Sequence, residues 1–387
     1  MLLIGILTGL IILVILVVIH ELGHGIVARR NGVVVEEFGI GFPPRAWGRK
    51  LKQSVLGKNV LISLNWLPLG GFVKLQGEHD SASGKGDYGA ATYWQKTKIL
   101  LAGVLMNWLA AIVLFTILAF VGLPKILPNQ FSVPSDTVTT VEPLRIGEVE
   151  RDSPAQKAGL KNGDELLLIG TRDVQSSTEL SEATSANRGK TVNVTYSRGD
   201  REYTVPVTLR DENSANQGYL GVRTTQRLSE IRATWSAPIV GVVTTVQLTG
   251  ETFSALGKLV VSLGEGLGSR FSGDEAARKS GDEAFAFASN SVSGPVGILG
   301  VIFPQMQQAG LKPLLLLTAI ISLSLAVMNV LPIPALDGGR WFTMTVFKLL
   351  RKPLTKEREE KIQTIGFMAL LGLIILVTIA DVGKIIG

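Results

Sequence analysis

The chain of 387 residues contains no cysteine, which excludes disulfides, iron–sulfur clusters, a thiol nucleophile and any cysteine-ligated metal. Metal chemistry in it must use histidine, aspartate or glutamate. Histidine itself is scarce, with 3 in the chain, so each one carries weight. Charge is thin as well: 18% of residues are charged against 46% hydrophobic, and the mean hydropathy is +0.33. That balance is too apolar for an ordinary soluble protein of this length and predicts an integral membrane protein in contact with the lipid bilayer. The first apolar run lacks a basic leading segment and a small-residue cleavage site, so it reads as a retained helix, not a removed signal peptide. No internal repeat and no charge deep in several spans is found, which leaves a transporter without support. The formal net charge is +6, yet the basic residues gather beside apolar segments as orientation signals do, so no nucleic-acid partner is expected.

What the chain does contain is long apolar segments. Residues 1–28, 99–123, 314–339 and 365–383 read as membrane spans. Arg29, Arg30, Arg45, Arg49, Lys50 and Lys52 fall in the first connection, residues 29–98, and Lys348, Arg351, Lys352 and Lys356 in the last, residues 340–364. The positive-inside rule puts both connections in the cytoplasm, and both chain ends with the region between the second and third spans outside it. Within residues 29–98, Val33 to Val35, Val60 to Leu64 and Pro68 to Leu75 read as β-strands punctuated by turn residues. Such strands beside a membrane site either offer an edge to an extended substrate or only brace the helices. Residues 237–267 alternate apolar residues with Thr, Ser and Gly and predict an amphipathic helix on the membrane surface. Residues 268–313 form a linker carrying Gly294-Pro295-Val296-Gly297, and Arg270 to Ser289 is expected to be mobile. The fold class is therefore an α-helical polytopic membrane protein of about four transmembrane helices, with a membrane-associated β-rich loop and an extracytoplasmic α+β domain. In that domain, residues 132–224, the run Ser153-Pro154-Ala155 with Ala158-Gly159-Leu160, Gly163-Asp164 and Ile169 resembles a PDZ domain, which implies a possible peptide ligand.

The densest chemistry lies at the end of the first span, in His20-Glu21-Leu22-Gly23-His24. On a helix, residues four apart share a face, so both imidazoles can meet one zinc ion while Glu21 borders that face. Metal-activated water beside a carboxylate is the equipment of peptide hydrolysis. Two histidines leave one ligand to find, and the candidates are His79, Asp337 and the carboxylates near either. Asp337 belongs to Asn329-Val330-Leu331-Pro332-Ile333-Pro334-Ala335-Leu336-Asp337-Gly338-Gly339, which topology puts at the same membrane face as His20 and His24. His79 sits in the polar stretch Gly77-Glu78-His79-Asp80 and reads as a surface histidine.

These motifs, with Pro68-Leu69-Gly70-Gly71-Phe72-Val73-Lys74-Leu75 and Ser293 to Gly300, resemble the site-2 protease family of bacterial intramembrane zinc metalloproteases, in its RseP-type (RIP metalloprotease, peptidase family M50) branch. The resemblance implies Zn2+ held by His20, His24 and Asp337, Glu21 as general base and Asn329 near the substrate backbone. Asn107 matches the family's asparagine in the second span and is by that resemblance expected to contact substrate, although the usual Gly-Pro pair there is Gly103-Val104. Gly70, Gly71, Phe72 and Val73 are the expected strand contacts of an unwound substrate. The expected activity is endoproteolysis within transmembrane segments of membrane-anchored proteins such as anti-sigma factors or remnant signal peptides. It would take place in the bacterial inner membrane, near its cytoplasmic face. The alternative is a non-enzymatic membrane scaffold that binds partners through its PDZ domain.

Overall fold

The computed structural model describes residues 2–140, 143–199, 201–212, 218–225, 229–270, 279 and 294–386. The chain divides into two units, residues 1–121 with 234–387, and residues 122–233.

In the first unit, the Leu-, Ile- and Val-rich start of the chain forms helix α1 (Leu2–Arg30). It stops where Gly32 adopts a φ of 83°, returning its own amide to the Arg29 carbonyl (3.1 Å) and the Val33 amide to that of Ala28 (3.0 Å). These paired bonds satisfy carbonyls that a helix end otherwise leaves bare, and Arg29 and Arg30 complement the negative end of the helix dipole. Strands β1 (Val35–Leu51) and β2 (Val60–Leu75) follow, both long and bent. Residues 35–40 of β1 lie between residues 61–64 and 71–75 of β2, while residues 45–51 pair with 60–65. Two strands thus build four ladder positions, and residues 71–75 occupy an edge with no second strand partner among the described residues.

Helix α2 (Tyr93–Val121) packs beside α1 and against the helices Leu311–Val330 and Ala237–Arg270. The last of these is one continuous helix over the stretch expected as an amphipathic surface helix. Its Thr245, Thr249 and Thr252 hydroxyls donate to carbonyls one turn back, so these three are satisfied within the helix, whereas the buried Thr244 hydroxyl has no hydrogen-bond partner. By length and composition five described helices, against the expected four, suffice to cross a membrane: α1, α2, this helix, Leu311–Val330 and the final one. The final helix begins at Lys356, ahead of the span expected from residue 365, with the Thr355 hydroxyl accepting the Arg358 amide at its start. The helix Asp337–Leu349 fills much of the stretch expected as a basic loop. Residues 294–309 form a short helix, a π-helical turn (Ile298–Ile302) and a second helix (Phe303–Ala309), whose Phe303 and Pro304 sit against Gly9 and Gly5 of α1. The expected mobile linker lies, save its first residue and Lys279, outside the described residues.

The second unit holds an antiparallel sheet in the order Val222–Thr225, Arg145–Val149, Glu165–Ile169, Thr191–Arg198, Arg201–Thr208, with Arg172–Asp173 on the middle strand. Two helices, Pro154–Lys157 and Ser177–Ala186, are capped by the hydroxyls of Ser153 and Ser176. Leu144, Ile146, Leu166, Ile169, Val194 and Tyr196 close the core. Burial raises the Asp164 carboxyl, but paired bonds from the Arg198 guanidinium at 2.6 and 2.7 Å outweigh it and hold the carboxyl below the usual aspartate range. A sheet with two helices in this arrangement is PDZ-like. A smaller sheet joins Leu123–Pro124, Glu230–Arg232 and Val138–Thr140.

Candidate active site

The spacing of His20 and His24 on α1 sets both rings on the face that meets α2, with ring centroids 4.7 Å apart. Two glycines make that approach feasible. A Cβ on Gly23 would stand 2.5 Å from the Ala102 carbonyl oxygen, and one on Gly103 would stand 2.4 Å from His24 Nε2 and 2.7 Å from His20 Cε1. Any larger residue at position 103 therefore occupies the space of the imidazoles themselves.

Asp337 arrives from the other side. Helix Leu311–Val330 ends at Leu331, because Pro332 and Pro334 cannot continue it, and the chain turns back through Ala335, which holds a φ of 78°. The Gln363 side-chain carbonyl of the final helix accepts the Ala335 amide at 2.6 Å and fixes that turn. Asp337 then opens its helix with its carboxylate directed at the histidines. Its Oδ2 lies 3.0 Å from His20 Nε2 and 3.3 Å from His24 Nε2, and the two Nε2 atoms are 3.1 Å apart.

This triangle suits a zinc ion. Ligand bonds of about 2.0–2.1 Å in tetrahedral geometry require donors roughly 3.3 Å apart, and three protein donors leave one position open for substrate or water. Among the described residues these three form the group of this kind that can share one ion. His24 Nδ1–H donates to the Ile99 carbonyl at 2.8 Å, which turns its Nε2 lone pair toward the triangle. Glu21, one residue beyond His20, faces the β-sheet edge, where its Oε2 accepts the Val73 amide at 3.0 Å.

The remaining expected residues divide. Asn107 lies beside His20, and Phe72 and Val73 line the same cavity of about 770 Å3 as Glu21, His24 and Asp337. Gly71 is buried behind that edge, close to Glu21, and Gly70 forms the bend before it. Asn329 instead donates its amide to the Leu325 carbonyl of its own helix at 3.0 Å. His79 stands away from the triangle, 3.7 Å from Glu360.

Sequence reasoning passed over the wall of this cavity. The Arg340 guanidinium, three residues beyond Asp337, lies over the Tyr88 ring at 4.6 Å and pairs with Glu359 at 3.1 Å, with Glu78 at 3.3 Å and with the Glu78 carbonyl. Asp80 adds a 2.8 Å bond from its amide to Glu359 and an ion pair with Lys96 at 2.5 Å. Burial pushes the Tyr88 phenol above its usual range, so it stays neutral and presents its ring face to the cation. The cluster ties the loop after β2 to the two helices that carry Asp337 and Gln363. Only the position of Arg340 one helical turn from Asp337 hinted at it.

Two histidines four apart and a distant aspartate that could share one ion, with a glutamate beside them, are the side chains a metalloprotease site requires. Residues 8–373 match the model of Peptidase family M50. A candidate zinc metalloprotease of Clostridium perfringens is 32% identical over 371 residues, covering 95% of each chain. The regulator of sigma-W protease RasP of Bacillus subtilis is 25% identical, covering 96% of each, and the zinc metalloprotease RasP of Geobacillus kaustophilus is 26% identical, covering 95% of each. Among solved structures, a PDZ domain of an SdrC-like protein from Listeria monocytogenes is 23% identical, covers 22% of this chain and 90% of its own, and has a TM-score of 0.20. The chain belongs to peptidase family M50, the site-2 protease family. It is a zinc metalloprotease and a membrane protein, which sets aside the scaffold reading.

Proposed function

We propose that His20, His24 and Asp337 hold the zinc, that Glu21 is the general base, and that the protein cuts peptide bonds within transmembrane segments of membrane-anchored proteins. The observation that carries this reading is the convergence of the three donor atoms to 3.0–3.3 Å at the junction of membrane-length helices. His20 lies ten residues, about 15 Å, before Arg30 at the basic end of α1. We therefore put the site inside the apolar layer, toward the cytoplasmic face of a bacterial inner membrane, with residues 122–233 on the opposite side. The charge pattern favours four crossings. The helix Ala237–Arg270 meets the second half of α2, with Gly241 at Thr116 and Thr249 bonded to Trp108, and we take it as embedded there without a full crossing.

Zinc, when bound, supplies Lewis acidity that makes water nucleophilic near neutral pH and polarises a carbonyl. Glu21 takes the proton from the attacking water and returns it to the leaving amine. A helical substrate hides its carbonyls in its own bonds, so the scissile segment unwinds and pairs as an extended strand with residues 71–75, which have no second strand partner among the described residues. Phe72 and Val73 contact it there, Gly70 and Gly71 shape the bend that presents the edge, and Asn329 meets its backbone after giving up its intrahelical bond. The domain in residues 122–233 receives an extended peptide or screens access. Single-span regulators such as anti-sigma factors, or remnant signal peptides, fit this site. Substitution Glu21→Gln tests the reading: the purified variant keeps one zinc per chain and loses cleavage of a membrane-anchored reporter. Undiminished cleavage would sink it.

A further inference from the structure

The two histidines are anchored differently. His24 Nδ1–H has a backbone acceptor, the Ile99 carbonyl, whereas the polar group at His20 Nδ1 is the side-chain amide of Asn107, at 3.4 Å. Asn107 is 1% exposed, and its Oδ1 is a buried acceptor without a hydrogen-bond partner. With the amide NH2 facing the ring, His20 Nδ1 must be the unprotonated nitrogen, and Nε2 would carry the hydrogen. An Nε2 that carries hydrogen has no lone pair for a metal.

Half a turn of the amide about its last bond exchanges its nitrogen and oxygen at nearly the same positions. Oδ1 then accepts from His20 Nδ1–H, the Nε2 lone pair is released toward Asp337 and His24, and the NH2 takes the unpaired place. Asn107 is held for this task. Ser322, fully buried on the helix Leu311–Val330, donates its hydroxyl to the Asn107 main-chain carbonyl at 2.8 Å. Gly103, one turn earlier on the same face of α2, leaves the rings their room.

We infer that Asn107 is a positioning residue for zinc: its Oδ1 accepts from His20 Nδ1–H and fixes the tautomer and ring orientation in which His20 binds metal. The inference rests on the proposed ligand set. It differs from the substrate-contact role that the family resemblance implies for this asparagine.

The test is zinc affinity of the purified full-length chain in detergent, measured by chelator competition, beside the kinetics of reporter cleavage. Asn107→Leu keeps the volume without an acceptor, and zinc affinity falls about 10–100-fold, the usual effect of losing a ligand's hydrogen-bond partner. Asn107→Asp restores an acceptor and holds zinc within about threefold of the parent. Cobalt substituted for zinc reports the same order through its visible absorption, shifted in Asn107→Leu and restored in Asn107→Asp. Parental zinc affinity in Asn107→Leu with only KM or kcat changed overturns the inference in favour of substrate contact. Equal weakening in both variants overturns it as general disruption. Failure of the ligand set shows differently, as a His24→Ala variant that keeps its zinc.

Discussion

At the residue scale, the site depends on an atom that is missing. The space a Cβ would fill at Gly103 is the space the two imidazoles use, with His24 Nε2 only 2.4 Å from that position. Because α1 and α2 are packed along their length, the backbone cannot yield freely, and overpacking of this kind costs about 1–3 kcal/mol. Gly103→Ala is therefore expected to lower zinc affinity roughly tenfold or more. Metal content after dialysis against a weak chelator checks this, and full retention would mean that the helices can part. The histidine pair and its glutamate were legible in the sequence because their chemistry is bound to residue type and spacing, whereas Asp337 stood beside His79 as a candidate and the family resemblance chose it. Gly103 was visible only as a departure from a family pattern. Its reason, a helix-to-helix approach, depends on which faces meet, and a periodicity that is apolar all round does not say.

At the scale of elements, the bent strands matter most. The sequence marks strands in residues 29–98 through Val60 to Leu64 and Pro68 to Leu75, but not that residues 35–40 would be flanked by both halves of β2. Turn residues signal that a chain bends, whereas the partner on each side is decided by packing. The outcome leaves residues 71–75 as an edge beside Glu21, and the Val73 amide is spent on the Glu21 carboxylate. Under the proposed pairing, a strand that docks there would compete for that amide and free Glu21 for proton transfer. Val73→Pro removes the amide and is expected to reduce cleavage at least tenfold while zinc content stays at one per chain. Cleavage at the parental rate would exclude pairing at this edge. The helix Ala237–Arg270 was expected as a helix from its pattern, and the hydroxyls of Thr245, Thr249 and Thr252 bond to its own carbonyls, so counting polar side chains overstates how wet it must be.

At the scale of the whole molecule, the absence of cysteine makes the topology directly measurable. A single cysteine introduced at exposed Lys58 is expected to react with a membrane-impermeant maleimide only after the membrane is opened, and one at exposed Ser185 in intact spheroplasts. The reverse pattern would invert the orientation drawn from the basic loops. The donors His20 and Asp337 stand 317 residues apart in the chain. While the protein is being made, the first helix is therefore in the membrane long before the carboxylate that completes the proposed metal site has been synthesised. Until Asp337 is made, the proposed metal site lacks one of its three donors. On the proposed ligand set, the three donors can meet only after α1, α2 and the helix Leu311–Val330 have been made.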